Sequence, residues 1–422
     1  MTVWFVMFWI AAGTLAYALV GYPLLMWVIA RRARPIEPAA PRDWPSVSLI
    51  IPAHNEELVI AAKLRNVLAL DYPADRLDVI VASDGSTDAT VEIASRFRAE
   101  GVEVLDLQPN RGKSTALNAA AAQARGDVLC LCDANVLFRP DALRRMVAHF
   151  DDPRIGAVTG DVRIASEESD FETGERSYYS IERRIQLGES RFGSTIGVDG
   201  GMYVVRRELF QDLRPDTILD DFETSLRVIR QGARLIYEPR AIATENGTPT
   251  WKQEFVRRIR VKTGVVQSLK RGLWPRASQP LEVWKYLSHK LLRWLGPVWL
   301  VLLMIASIRL RNAGLIYQVA LYSQLAFYGL AVLALASQTV RRTRLGGMAF
   351  YFTLSHIAMV VGLVRGLVCR PSGIWRRTSR TPVASPDVET SETCPVNGLP
   401  QGADQPHSVA GSSRERIRIE LI

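Results

Sequence analysis

Two acidic residues follow two candidate buried strands. Asp84 comes after the apolar run Val79–Ser83, and Asp133 comes after Val128–Cys132. Taken alone, Asp84 is better explained by a turn that caps a helix N-terminus. A carboxylate at a strand end can also accept hydrogen bonds from a nucleotide base, and one or two carboxylates can hold a hard cation against a diphosphate. Asp133 is therefore a candidate cation ligand, with the amide oxygen of Asn135 as a second, weaker one.

Three further groups of charged side chains are candidates for the same chemistry. Lys113 opens a predicted helix near the same edge of the sheet. The adjacent carboxylates of Asp220 and Asp221 repel each other, which raises the pKa of one of them and favours a general base. Arg257 and Arg260 share one face of a predicted helix and could bind phosphates. A solvated lysine, an acidic helix start and a lipid-facing basic surface are the structural alternatives for the three groups.

The elements that must position these side chains alternate between strands and helices. The predicted strands are Val47–Pro52, Leu77–Ala82, Val102–Leu107 and Asp127–Cys132. The predicted helices are Glu56–Ala69, Thr87–Ala99 and Gly112–Ala124. This order predicts a Rossmann-like α/β domain with a mostly parallel sheet and helices on both faces. Ligands of such sheets bind beyond the carboxyl ends of the strands, where the acidic residues fall.

Uncharged stretches flank this domain, since residues 1–30 and 314–340 contain no Asp, Glu, Lys or Arg. Each exceeds the ~20 apolar residues that cross a bilayer, which excludes a purely soluble protein. The basic segment Arg31–Arg34 predicts a cytoplasmic location for the domain that follows it. The expected divisions are a membrane helix with a basic anchor (1–34), a linker (35–46), the cytoplasmic α/β domain (47–250), interfacial basic helices (251–290), membrane helices (291–368) and a tail (369–422) that is disordered from about Thr381.

The chain is basic, with 52 Lys and Arg against 43 Asp and Glu and a net charge of +9. This balance suits an anionic lipid surface or a phosphate-bearing substrate, and no nucleic-acid-binding module is visible in the sequence. The four cysteines have neither zinc-site spacing nor a disulfide framework, which agrees with a cytoplasmic domain.

Taken together, these motifs resemble those of the family 2 glycosyltransferases, especially the membrane branch that contains poly-N-acetylglucosamine, chitin, hyaluronan and cellulose synthases. The likeness covers about residues 46–380, from the segment ending in Asn55-Glu56 to Trp375–Arg380. It implies a GT-A fold, a nucleotide-diphospho-sugar donor (UDP-linked by expectation), a divalent cation (Mg2+ or Mn2+) and inversion at the anomeric carbon.

The resemblance also assigns roles to individual residues. Asp221 would be the catalytic base, and Arg257 and Arg260 would offset charge on the leaving diphosphate. Gly200 and Gly201 would lie beside the acceptor. The donor would contact Glu56, Asp84, Lys113, Asp133, Trp375 and Arg380, and the cation would contact Asp133 and Asn135.

The sequence departs from the family pattern at two positions. The Asp-x-Asp element ends in Asn135, and the Gln-x-x-Arg-Trp signature of processive members reads Arg257-x-x-Arg260-Val261. A valine cannot stack under an acceptor sugar as tryptophan does. The sequence is therefore compatible with the transfer of one or a few sugars. Whether the chain also extends a polymer is left open at this point.

The favoured hypothesis is a multi-pass inner-membrane glycosyltransferase that builds a polysaccharide or glycolipid, with an accessory export protein as a further candidate partner. The alternative is a non-catalytic membrane protein that binds nucleotide-sugar and regulates a synthase. Three C-terminal spans, near Leu291–Ile308, Gly314–Val340 and Leu345–Val368, would place Trp375 outside the cell. We therefore expect Leu291–Ile308 to be partly interfacial.

Overall fold

The computed structural model describes residues 1–38, 43–165, 172–246, 250–369 and 373–374, with the backbone alone for 172–178. The predicted site residues Trp375 and Arg380, and the tail predicted to be disordered, lie outside the described residues.

An eight-stranded sheet organises the central domain, with strand order β3-β2-β1-β4-β7-β6-β8-β5. Parallel pairing joins β1 to both β2 and β4, β2 to β3, and β6 to β8. The expected mostly parallel sheet is confirmed, and β7 and β5 depart from it: β7 runs antiparallel to both of its neighbours, and β5 runs antiparallel to β8. The strands are β1 (Val47–Ala53), β2 (Leu77–Asp84), β3 (Val102–Leu107), β4 (Val128–Cys132), β5 (Leu137–Phe138), β6 (Ile155–Ile164), β7 (Met202–Arg206) and β8 (Arg234–Glu245).

Helices cover both faces of this sheet. In β1, Leu49 and Ile51 belong to the core on one face, whereas Ile50 belongs to the core on the other. An inner strand buried on both sides reads as an unbroken apolar run, which is why its sequence predicted it well.

The helices are α1 (Thr2–Ala16), α2 (Tyr22–Arg32), α3 (Ile60–Leu68), α4 (Thr90–Ser95), α5 (Lys113–Gln123), α6 (Ala142–Val147), α7 (Glu172–Arg191), α8 (Asp220–Arg230), α9 (Trp251–Lys270), α10 (Pro280–Lys285), α11 (Leu292–Trp294), α12 (Gly296–Leu310), α13 (Leu315–Ala336), α14 (Gln338–Arg342) and α15 (Arg344–Val368). π-Helical turns join α1 to α2 and α10 to α11.

Within the described residues, three helices are long and apolar enough to cross a membrane: Thr2–Arg32, Leu315–Ala336 and Arg344–Val368. A fourth candidate is a bent pair, Pro280–Trp294 and Gly296–Leu310, whose two arms meet at 60°. The segment expected to be partly interfacial contains this bend.

Helix α9 connects the α/β domain to α15. A Cβ built on Gly264 of α9 would lie 2.7 Å from Cγ of Leu219, in the loop before α8. On the α15 side, Gly362 and Gly366 allow the helix backbones to approach closely, as small residues four apart do in membrane helix pairs. The sequence predicted that residues 252–270 lie on a membrane surface. In the structure, residues 263–268 of α9 are buried, whereas Lys252 and Arg260 are exposed, and the membrane-surface position of the helix stays a prediction.

Replacing Gly366 with alanine should loosen this contact. The new Cβ would lie 2.6 Å from Cβ of Val266, so one of the two helices must shift. This shift should lower the free energy of unfolding by about 1–3 kcal/mol. Gly329→Ala in α13 is the matched control, because nothing lies within 4 Å of its Cβ position. Thermal unfolding of the purified protein should show a lower Tm for Gly366→Ala only. Equal Tm values for the two variants would contradict the close packing.

Candidate active site

A cavity of about 1070 Å³ lies beyond the carboxyl ends of the central strands. It brings together most of the residues predicted from sequence. Those that line it are Glu56, Lys113, Asp133, Asn135, Gly200, Gly201, Asp221, Arg257 and Arg260.

Lys113 lies between two carboxylates at the start of α5. Its Nζ is 2.8 Å from Oδ1 of Asp133 and 3.3 Å from Oδ2 of Asp220. Burial lowers the pKa of this amine, but Asp133 and Asp220 outweigh burial and leave it well above its ordinary value. Lys113 is therefore a fixed positive charge between the carboxylate after β4 and the first residue of α8.

Asp221 occupies the first turn of α8, where Oδ1 accepts a hydrogen bond from the backbone N–H of Phe222 at 2.7 Å. Burial and the neighbouring Asp220 carboxylate raise its pKa to about 6, while Lys113 and the Phe222 amide oppose the rise. A carboxyl group with a pKa near 6 is ionised at neutral pH and is more basic than an ordinary aspartate. It has the properties of a general base.

Gly200 leaves room for this carboxylate. A Cβ built there would lie 2.9 Å from Oδ2 of Asp221, and one on Gly201 would lie 3.0 Å from Cγ2 of Val136. Both glycines line the cavity, so backbone rather than side chains faces the Asp221 carboxylate there.

Asp199 is a cavity residue that the sequence reasoning missed. Its Oδ1 accepts a hydrogen bond from the Gly201 amide at 3.1 Å. Burial raises its pKa to about 7, Glu245 adds to the rise, and the Gly201 amide opposes it. The available signal was its position directly before the predicted acceptor strip Gly200-Gly201.

Asp84, predicted to contact the donor, is positioned by the loop before α5. Its carboxylate is fully buried and accepts hydrogen bonds from the backbone amides of Arg111 and Gly112, both at 2.8 Å. It is not among the residues that line the cavity. In the structure, Asp84 holds the loop that leads into Lys113.

The two arginines of α9 differ in their surroundings. Arg257 donates to both carboxylate oxygens of Glu254, at 2.7 and 3.0 Å, and Glu254 is fully buried. Arg260 is exposed, and among the described residues no carboxylate lies within ion-pair distance of it. Arg260 is therefore the more available of the two for a ligand phosphate.

The side chains that follow β4 are suitable ligands for a cation that also contacts the phosphates of a bound molecule. In the described part of the chain, no group of three His, Cys, Asp or Glu side chains could hold a metal. A cation on a diphosphate needs only one or two carboxylates, and the Asp133 side chain is 30% exposed. The Asn135 amide nitrogen points to Glu245, at 3.4 Å, which leaves its oxygen as a second ligand.

The chain returns to this site after α15. A Cβ on Gly112 would lie 2.6 Å from the carbonyl oxygen of Gly373, and Gly373 also contacts Pro215. The segment that leads into Trp375 therefore lies beside the loop that carries Lys113.

Residues 48–214 match the model of the family described as Glycosyl transferase family 2. The chain is 31% identical over 241 residues to the poly-beta-1,6-N-acetyl-D-glucosamine synthase of Staphylococcus epidermidis (54% of this chain, 57% of that protein). It is 30% identical over 247 residues to the beta-monoglucosyldiacylglycerol synthase of Synechocystis (54% and 52%). These matches thus span about half the length of the curated relatives.

Among solved structures, the fold is similar to the mannosyltransferase PcManGT from Pyrobaculum calidifontis in complex with GDP-Man and Mn2+. The TM-score is 0.64 at 26% identity, over 86% of this chain and 99% of that one. The predicted likeness to family 2 glycosyltransferases and the predicted GT-A fold are both confirmed.

Asp84→Asn tests the role of the buried carboxylate. One of the two backbone amides would face an NH2 group instead of an acceptor. This loss should lower the free energy of unfolding by about 1–3 kcal/mol. We expect a lower Tm in thermal unfolding. Asp106→Asn, at an exposed position in the adjacent β3, is the control and should unfold like the unchanged protein. Equal stability of the two variants would contradict the structural role.

Proposed function

Because residues 48–214 form a family 2 glycosyltransferase domain, we propose that this chain is an inverting membrane glycosyltransferase. It moves a sugar from a nucleotide-diphospho-sugar to a hydroxyl of a polysaccharide or glycolipid. The observation that carries the proposal is the Asp221 carboxylate, whose pKa is raised to about 6 in a cavity that also holds the ion pair of Lys113 and Asp133.

The donor diphosphate is proposed to bind at Lys113 and Asp133, with Glu56 contacting the nucleotide part. A Mg2+ or Mn2+ ion held there by Asp133 and Asn135 would neutralise charge on the diphosphate oxygens. The complex of PcManGT with GDP-Man and Mn2+ supports this choice of ligands. Trp375 and Arg380 are proposed to cover the donor, and the contact of Gly373 with Gly112 supports that position.

In the proposed reaction, the acceptor hydroxyl oxygen attacks C1 of the donor sugar. The bond between C1 and the diphosphate oxygen breaks, and the electron pair leaves with the nucleoside diphosphate. Asp221 takes the hydroxyl proton. Lys113 and Arg260 stabilise the charge that grows on the leaving diphosphate, with Arg257 in support. Attack opposite to the leaving group inverts the configuration at C1.

The proposed location is the inner membrane, with the α/β domain in the cytoplasm. The basic segment Arg31–Arg34 supports this orientation. The contact between Gly373 and Gly112 supports an even number of crossings after α9, because the chain comes back to the domain it left. Helices α13 and α15 provide two crossings. The bent pair around Gly296 is therefore proposed to enter the membrane and return without crossing it.

Single or limited transfer is the proposed outcome. Val261 lines the cavity at the position where processive members resembling this chain have tryptophan, and it offers no flat surface for an acceptor sugar. An accessory export protein would be needed only if the product is a polymer.

Asp221→Asn tests the catalytic assignment. The variant keeps the shape of the side chain but cannot take a proton, so we expect turnover to fall by about 10²–10⁴-fold. Donor consumption is measured with the full chain in detergent against UDP- and GDP-sugars. Asp212→Asn, an exposed site outside the cavity lining, is the control. Unchanged turnover in Asp221→Asn would favour the alternative, a non-catalytic regulator.

The pH dependence follows from the same carboxyl group. Asp221 must be deprotonated to act as a base, so the rate should rise as the pH increases through about 6. The neighbouring Asp220 carboxylate is one cause of the raised pKa of Asp221, so Asp220→Asn should move this rise to lower pH. Profiles of kcat/KM from pH 5 to 8 check both points. A rise that stays in place in Asp220→Asn would contradict the effect of Asp220 on Asp221.

A further inference from the structure

The cavity extends well beyond the acidic residues, into a region lined by apolar and aromatic side chains. Leu300 comes from α12, Phe327 from α13, and Phe352 and Met359 from α15. Helices α13 and α15 are long and apolar enough to cross a membrane. One end of the cavity therefore holds the candidate catalytic base, and the other lies among helices suited to a lipid environment.

Four basic residues occupy the wall between these two regions. This basic cluster consists of Arg258, Lys262, Lys290 and Arg293, all of which line the cavity. Glu182 lies 3.0 Å from the Lys290 amine and 2.8 Å from Arg293. Glu254 pairs with Arg258 at 2.7 Å. Among the described residues, the ion pairs of this cluster are thus made to two carboxylates, and Glu254 is shared with Arg257 as well.

The basic cluster lies next to the candidate base. The ring of Phe222, the residue after Asp221, packs edge-on against Trp294 with 5.8 Å between centroids. A Cβ on Gly197 would lie 3.4 Å from the Phe222 ring and 4.0 Å from Cε of Lys290. The basic cluster and Asp221 therefore line neighbouring parts of the same cavity.

Lys262 has surroundings that differ from those of the other three members of the cluster. Over the ranges that the structure describes, no carboxylate lies within ion-pair distance of its amine. Burial lowers its pKa to about 7, and Arg258, Arg293 and Lys290 add to the fall. Glu182 opposes this fall in pKa, but no described carboxylate forms an ion pair with the amine, which suits the place to an anionic ligand group.

We propose that the acceptor is a lipid whose phosphate binds the basic cluster and whose hydrocarbon chains lie in the apolar region among α12, α13 and α15. Beyond the phosphate, its head group would present a hydroxyl to Asp221. A neutral polysaccharide would leave both the cluster and the apolar region without a matching group. The hydroxyl's role as nucleophile rests on the proposed function, whereas binding of the phosphate and of the chains does not.

Dioleoyl phosphatidylglycerol is a suitable probe because it has a hydroxylated head group, a phosphate and two chains in this order. Two comparison ligands are used: dioleoylglycerol keeps the chains but lacks the phosphate and its head-group glycerol, and glycerol 3-phosphate has no chains. Binding to the purified full chain in detergent is measured by native mass spectrometry without any nucleotide-sugar, so the result does not depend on turnover.

We expect the chain to retain phosphatidylglycerol over both comparison ligands. Lys262→Gln should weaken retention about tenfold or more, because a hydrogen bond to a charged group is lost. Lys262→Arg keeps the charge and should restore binding. Lys252→Gln is the matched control, since Lys252 lies on the same helix, is exposed and does not line the cavity.

Three results would overturn the proposal. Equal retention of dioleoylglycerol would show that the phosphate is not recognised. Equal retention of glycerol 3-phosphate would indicate a site for a free phosphate and not for a lipid. Equal losses in Lys262→Gln and Lys252→Gln would indicate unspecific surface attraction. If lipid binding behaves as expected but no nucleotide-sugar is consumed, the proposed function fails and the lipid site stands.

Discussion

The position of Lys113 between Asp133 and Asp220 is the interaction on which the rest of the site depends. These three residues come from α5, from the end of β4 and from the start of α8, so one amine ties three elements together. Without this positive charge, the carboxylates of the cavity would repel one another in a buried place. The buried Asp84 carboxylate fixes the loop that delivers Lys113, by accepting two of the loop's backbone amides.

A second constraint links this site to the helices that suit a membrane. Helix α9 contacts the loop before the candidate base through Gly264, and it contacts α15 through Gly362 and Gly366. The same helix carries Arg260 and Lys262, which both line the cavity. Because α9 contacts both the loop before α8 and α15, it fixes where the acidic part of the cavity lies relative to the part among the helices.

Much of the fold could be predicted from the sequence because its signals are local. Strands buried on both faces, such as Val47–Ala53, read as apolar runs, and uncharged stretches predict helices suited to a membrane. The antiparallel strand Met202–Arg206 could not be predicted in this way, because strand direction depends on partners far apart in the chain. Helix α3 also begins later than predicted, at Ile60.

The candidate site also contains residues that could be predicted from local sequence and residues that could not. Asp133 and Asp221 stand next to strand or helix ends, so their spacing in the sequence indicated a shared edge. The burial of Asp84 depends on backbone amides of Arg111 and Gly112, which no side-chain pattern reveals. The raised pKa of Asp199 comes from burial and then from Glu245, which is distant in sequence, so no local pattern reveals it.

The distribution of charged and apolar side chains along the cavity explains why these residues occur together. Carboxylates surround the candidate base, cations follow, and apolar side chains come last. A base works best where negative charge and burial raise its pKa, which Asp221 shows. The same negative charge would repel an anionic acceptor, so the cations that Lys262 represents are needed to bring such a molecule within reach. The apolar helices beyond these cations then hold the hydrocarbon part of the acceptor.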